Sequence, residues 1–173
     1  PWTVSVYDAN NNLLSTTDRL GHTTSYSYDG LNRRTSETDA NGDTTSYTFN
    51  AAGAMNSLTD PDSNTTSWFY DAFGRMVEER NELDASRFFS YDPAGNLVKK
   101  TDRNGRVTEF EFDNLSRKIA ERWKDGETTV RTFAYHYDAA GELTSASDPD
   151  AAYEYAYDGL GRVAGETQEI NGL

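Results

Sequence analysis

The chain has 173 residues, a net charge of −13, no cysteine and 35% hydrophobic residues. The lack of cysteine excludes disulfides and thiolate metal sites. The acidic balance argues against nucleic acid or an anionic membrane surface as partner, because both are held by Lys and Arg.

The composition of 11 Tyr, 8 Phe and 3 Trp speaks against disorder. Disordered chains are poor in aromatics, and each ring brings a large area to bury. No stretch reaches the roughly 18 apolar residues of a membrane helix, so membrane insertion is not expected. No leader is recognisable, and the chain opens on Pro1. It therefore reads as an excised piece of a longer protein.

The first element is Trp2-Thr-Val4-Ser-Val6-Tyr7. Its apolar residues fall out of phase with Tyr7, which predicts a first strand that is frayed or re-paired. Tyr7-Asp8 opens a turn, and Leu13 opens a strand that ends at Thr17. Asp18-Arg-Leu-Gly21 is the next turn, and Ser25-Tyr26-Ser27-Tyr28 is the strand after it. Asp, Asn and Gly suit these turns, since Asx side chains bond nearby backbone and Gly accepts positive φ.

From there the pattern repeats. Aromatic–acid or aromatic–amide anchors stand at Tyr7-Asp8, Tyr28-Asp29, Phe49-Asn50, Tyr70-Asp71, Tyr91-Asp92, Phe112-Asp113, Tyr137-Asp138 and Tyr157-Asp158. Five successive intervals are 21 residues, the next is 25 and the last is 20. A small residue follows four positions after most aromatics, with a polar residue behind it, as in Gly74-Arg75 and Gly161-Arg162. A second aromatic stands two residues before each later anchor: Tyr26, Tyr47, Trp68, Phe89, Phe110, Tyr135 and Tyr155.

Each unit thus reads as one β-hairpin. The chain is all-β: tandem hairpins forming a long curled antiparallel sheet of about 15 strands, on the order of 70 Å across. Strict alternation, as in Glu109-Phe110-Glu111-Phe112, gives one buried aromatic face and one wet face. Rings from neighbouring hairpins would then form ladders, with each cross-strand pair adding about 0.2–1 kcal/mol. A single sheet leaves a face and two edges uncovered, so self-association is expected. The 25-residue interval is irregular near residues 118–137. Its extra length centres on Trp123-Lys124-Asp125-Gly126, with Asp125-Gly126 expected as the turn.

Readings as an enzyme find little support. The carboxylates fall at turns, where an Asp far more often caps the backbone than acts as a catalytic acid. His22 sits in a turn and His136 on the polar phase of a strand, with no recognisable nucleophile beside either. Asp39-Ala-Asn41-Gly42-Asp43 and Asp60-Pro-Asp62-Ser-Asn64 superficially resemble calcium loops but lack the distal Glu. The Gly-Arg pairs are not phosphate loops. No catalytic residue, metal or cofactor is expected. Trp2, Trp68, Phe69, Phe88 and Trp123 are candidate sugar-stacking rings. Phe69 and Phe88 lie off the ladder phase and point to the wet face.

Tyr70-Asp71-Ala-Phe-Gly74-Arg75-Met76 and Tyr157-Asp158-Gly-Leu-Gly161-Arg162-Val163 resemble the first half of an RHS or YD repeat. Thr101-Asp102-Arg-Asn-Gly105-Arg-Val-Thr108-Glu-Phe110-Glu-Phe112-Asp113 resembles the second half. The resemblance implies one RHS/YD region over residues 1–173, of about seven to eight hairpins. Rhs proteins, toxin-complex shell components and teneurins carry such repeats in large secreted or cell-surface proteins. There a long sheet spirals into a hollow shell, in some around a toxic domain. The implied role is a noncatalytic wall segment whose partners are neighbouring repeats of a parent protein. A carbohydrate-binding or cell-surface recognition module is the alternative. Neither a self-cleaving aspartate region nor a cargo domain is recognisable, so encapsulation would belong to the parent.

Overall fold

A computed structural model describes residues 2–170. Among these residues there are sixteen strands and no helix. They fall into two compact units, the first ending at Ser86 and the second starting at Arg87. The first unit holds β1 (Val4–Tyr7), β2 (Leu13–Thr17), β3 (Thr23–Tyr28), β4 (Arg34–Thr38), β5 (Thr44–Phe49), β6 (Met55–Thr59), β7 (Thr65–Tyr70) and β8 (Met76–Arg80). The second holds β9 (Ser86–Tyr91, whose first residue is the boundary), β10 (Leu97–Thr101), β11 (Val107–Phe112), β12 (Lys118–Asp125), β13 (Thr128–Tyr137), β14 (Leu143–Ser147), β15 (Ala151–Tyr157) and β16 (Val163–Ile170). Within each unit every strand pairs antiparallel with its neighbour in sequence.

Each anchor sits at a β-bulge. In β3–β4 the register is Ser27↔Ser36, then Tyr28↔Arg34, which leaves Thr35 as the extra residue. The same slip falls at Tyr7, Phe49, Tyr70, Phe112, Tyr137 and Tyr157, and between Leu97 and Lys99 opposite Tyr91. A bulge kinks the strand and increases its twist, so its recurrence at one place per hairpin gives every repeat the same local bend. Periodicity alone did not reveal this extra residue.

The first strand corrects one expectation. β1 pairs with β2 as Val4↔Thr17, Ser5↔Thr16, Val6↔Ser15 and Tyr7↔Leu13. This is the register of β3–β4, so the strand is neither frayed nor re-paired. Backbone hydrogen bonds hold it whatever its side-chain phase. The phase conflict shows up as exposure instead, with Val4 at 55% and Val6 at 48%.

The long hairpin also differs. β12 continues through Asp125, and Asp125 pairs with Thr128, so the two-residue turn is Gly126-Glu127. Gly126, at φ 57°, occupies the first central position, where a tight hairpin turn requires positive φ.

Sequence alternation predicts a buried face, but one residue among those described is buried, Ala120. The aromatic-phase residues are half-buried: in β3, Thr24, Tyr26 and Tyr28 are half-covered and Thr23, Ser25 and Ser27 are exposed. A sheet covers its side chains only through their lateral neighbours when no second layer lies on them.

The turns explain the glycines. The residue three after each anchor Asp or Asn has positive φ, from Asn11 at 65° through Gly74 at 78° to Gly161 at 74°. Ser63 holds the same place in the Asp60 turn at φ 69°. An L-residue pays roughly 1–2 kcal/mol in this conformation, against roughly 0.5–1 kcal/mol for glycine's extra freedom when unfolded. Ser63→Gly is therefore expected to raise stability by about 0.5 kcal/mol, and Gly74→Val to lower it by about 1–2 kcal/mol. Urea unfolding of the two variants checks the opposite signs. Nothing lies within 4 Å of a Cβ added at Gly74, so the loss would be a backbone effect rather than a clash.

Candidate functional site

Each anchor Asp organises a five-residue loop. The Asp29 amide donates to the Arg33 carbonyl at 3.0 Å, and the Asn32 amide donates to the Asp29 carbonyl at 3.0 Å. Asp29 Oδ1 accepts the amides of Leu31 and Arg33 at 2.9 and 3.1 Å, and Oδ2 accepts Arg33 Nε at 2.7 Å. The carboxylate thus satisfies donors that the ladder leaves free. Asp71 with Arg75, Asp113 with Arg117 and Asp158 with Arg162 repeat the arrangement. Asp8 with Asn12 and Asp92 with Asn96 use an amide in place of the guanidinium.

The turns at the other strand ends are built the same way, as their Asp and Asn residues lead one to expect. Asp18 Oδ1 takes the amides of Leu20 and His22, and His22 Nδ1 lies 3.0 Å from Oδ2. Asp39 Oδ1 takes Asn41 N and Asp43 N, and Asp60 takes Asn64 N and Nδ2. The loops that superficially resemble calcium sites therefore spend these carboxylates on their own backbone.

Hydrogen bonds hold the anchor carboxyls below their usual range. The Arg33 side chain is the main cause for Asp29, the Asn12 side chain for Asp8, and the Arg162 side chain for Asp158. The Asp138 turn departs from the rule, because Glu142 stands where the other anchor aspartates are followed by Arg or Asn. Burial raises the Glu142 pKa, helped by its hydrogen bond to Asp138 and by the charges of Asp138 and Asp158. An ionised Glu142 therefore opposes folding, and that opposition fades as pH falls through its raised pKa. Glu142→Arg is expected to raise the melting temperature at pH 7 and to gain less at pH 4. Thermal melts at the two pH values check this.

The repeats are also tied laterally. The β2–β3 ladder runs from Ser15↔Ser25 to Thr17↔Thr23. Leu13 lies beyond its end, and Tyr28 Oη donates to the Leu13 carbonyl at 3.0 Å. Tyr70 Oη does the same to Met55 at 2.7 Å, Tyr137 to Lys118 at 3.0 Å and Tyr157 to Leu143 at 2.9 Å. Arg33 reaches to the next anchor, with its guanidinium 4.7 Å over the Phe49 ring and Nη1 on the Asn50 carbonyl at 3.2 Å. Arg117 clasps Tyr137 and the Asp138 carbonyl likewise, at 4.8 and 3.0 Å. Next to the opposite turns, Thr hydroxyls pair across strands: Thr17 with Thr23, Thr38 with Thr44 and Thr59 with Thr65, each at 2.8 Å.

The aromatic face is not the continuous ring ladder that alternation suggests. Opposite Tyr26, Trp68, Phe110 and Tyr155 stand Glu37, Glu79, Glu121 and Glu166, and opposite Phe89 stands Lys100. Cations fill the gaps. Arg34 lies 5.6 Å over Tyr26 and 5.4 Å over Tyr47, and Lys118 lies 5.7 Å over Phe110 and 4.7 Å over Tyr135. Such stacking is worth about 0.5–1 kcal/mol where exposed. Of the off-phase rings, Phe69 is 42% exposed with the Arg80 guanidinium 5.0 Å above it, and Phe88 is 49% exposed. His136 is exposed, and no group of three or more His, Asp or Glu among the described residues could hold a metal ion.

The anchor carboxylates and the phenols of Tyr28, Tyr70, Tyr137 and Tyr157 are thus engaged in shape, within a hairpin or to the next one. The RHS repeat model matches residues 7–44 and 35–65, and the Teneurin YD-shell model matches residues 55–172. The chain belongs to the RHS/YD-repeat shell family. Among solved structures, the Tc holotoxin pore of Photorhabdus luminescens matches with a TM-score of 0.68 and 20% identity, over 87% of this chain and 9% of that one. The TcdB2–TccC3 complex matches with a TM-score of 0.66 and 15% identity, over 93% of this chain and 13% of that one. The RHS/YD chain therefore spans a small part of these proteins, and the likeness is one of fold. No curated protein sequence matches it.

Proposed function

We propose that residues 1–173 form one repeat region acting as a noncatalytic wall segment of a larger secreted or cell-surface shell, with a cargo domain enclosed by the parent protein. Its anchors, from Tyr7-Asp8 to Tyr157-Asp158, are structural, and its first partners are the preceding and following repeats. The observation that carries this reading is the lateral bonding. Tyr28, Tyr70, Tyr137 and Tyr157 each spend their hydroxyl on a carbonyl 14 to 19 residues earlier in the chain. A hairpin of this kind gains its stability from its neighbours, as in other linear repeat arrays. The same logic makes the outer strands β1 and β16 points of continuation, or of self-association when continuation is missing.

Carbohydrate recognition is the competing reading. It would rest on off-phase rings, and of these Phe69 already carries a guanidinium over its face. The test is repeat number. Adding a copy of the 50–70 repeat at the chain end is expected to raise the urea midpoint, and removing the last hairpin to lower it. Midpoints independent of repeat number would defeat the wall reading. Saturable glycan binding lost in Phe88→Ala would favour the competitor.

A further inference from the structure

The irregular interval after Phe112 builds a cleft for which the regular repeats lack the parts. In regular hairpins the second strand stops ten residues after the anchor, at Thr38, Thr59 or Thr101, and the turn acid follows. After Phe112, β12 runs on through Trp123, Lys124 and Asp125, and β13 begins with Thr128, Thr129 and Val130. This overhang stands beside the Asp102–Arg106 turn, and a cleft of about 520 Å³ opens there. Lys100, Thr108 and Trp123 are successive cross-strand neighbours on β10, β11 and β12. The short Thr108 therefore sits between two long side chains and lowers the floor. The volume lies in the usual range for small-molecule sites, roughly 300–1,000 Å³.

The apolar wall is held in place before any ligand arrives. Trp123 Nε1 donates to Glu121 Oε1 at 2.9 Å, and Lys118 Nζ fixes Glu121 Oε2 at 2.9 Å. Phe133 supports the indole at 5.2 Å between centroids. Trp123 still leaves 45% of its surface open, and Val130 adds a further exposed apolar side chain.

The cations of the lining are unequally spent. Lys124 engages Glu109 at 3.6 Å and Thr129 at 3.3 Å. Arg106 gives Nε to Asp102 at 2.6 Å and remains 75% exposed. Lys100 lies 5.7 Å over the Phe110 ring and its charge helps to hold the Glu121 carboxyl down, but it forms no close ion pair among the described residues. The site thus offers an open indole face, an ammonium outside any close ion pair and a guanidinium engaged through Nε.

We propose that this cleft binds a small aryl carboxylate, with its ring against Trp123 and its carboxylate at Lys100 and Arg106. The inference stands apart from the wall reading, since a wall needs no such pocket. The test is titration of the intact chain with 2-naphthoate, followed through the three indole N–H signals in ¹⁵N NMR spectra, with Trp123→Phe assigning the Trp123 signal. The expected result is a saturable shift of the Trp123 signal, with binding at least fivefold weaker for neutral 2-naphthalenemethanol and for Lys100→Met. Lys100 is exposed, and Arg106→Met serves if that variant fails to fold. Equal binding of naphthoate and naphthalenemethanol would overturn the proposal. So would a shift confined to Trp2 or Trp68, no shift at millimolar naphthoate, or a response to maltose in place of naphthoate.

Discussion

Tyr70→Ala is expected to destabilise the chain by about 2–4 kcal/mol, and Tyr70→Phe by about 0.5–1.5 kcal/mol. The alanine figure lies somewhat below that for a fully buried ring, because Tyr70 is only half-covered. The phenylalanine figure isolates the 2.7 Å bond from Tyr70 Oη to the Met55 carbonyl. Met55 opens β6 beyond the β6–β7 ladder, which begins at Ser57↔Ser67. The phenol therefore supplies the donor that the ladder does not. Phe49 and Phe112 hold the same place with no hydroxyl, so the ring outweighs the bond. Urea unfolding followed by circular dichroism gives both numbers. Equal losses in the two variants would mean that the hydroxyl, not the ring, holds the strands together.

Acid is expected to unfold the chain cooperatively below about pH 4, with little loss between pH 7 and 5. Eleven aspartates have carboxyls lowered from 3.8: Asp8, Asp18, Asp29, Asp60, Asp71, Asp92, Asp102, Asp113, Asp138, Asp148 and Asp158. A carboxyl whose folded pKa lies below its unfolded one contributes stability that is complete above the unfolded value. That contribution is lost as pH falls through the folded value. Asp18 is exposed and the others are half-buried, so each contributes modestly, but all titrate over the same window. Self-repulsion works the other way: the net charge of −13 shrinks toward the isoelectric point near 4.4. Melting temperature should therefore hold or rise slightly toward pH 5 and then fall steeply. Melts at pH 7, 5, 3.5 and 2.5 test this. A steady decline starting at pH 6 would mean that the turn carboxyls are not the cause.

Much of this was legible because the repeat is local. Asp, Asn and Gly at fixed offsets place the turns, and two-residue alternation assigns Tyr26 and Tyr28 to one face and Ser25 and Ser27 to the other. The bulges were not legible. Thr35 continues the strand pattern, and its status as the extra residue depends on what stands across from it. The composition of the aromatic face was hidden for the same reason. Glu37 faces Tyr26 only through register, and Arg34 reaches Tyr47 only once β5 lies alongside. The cleft beside Trp123 needed the long hairpin to be placed against the Asp102 turn.

The sequence by itself determined the hairpin unit, its period, its turn chemistry and the family. Each of these depends on residues a few positions apart, where backbone sterics and Asx bonding act without help from the rest of the chain. Tertiary structure alone decided the register slip at each anchor and the phenol-to-carbonyl ties. It also decided the interleaving of rings with carboxylates and cations. Those depend on pairings across strands, between residues 6 to 19 positions apart, and a one-residue slip turns a side chain to the other face.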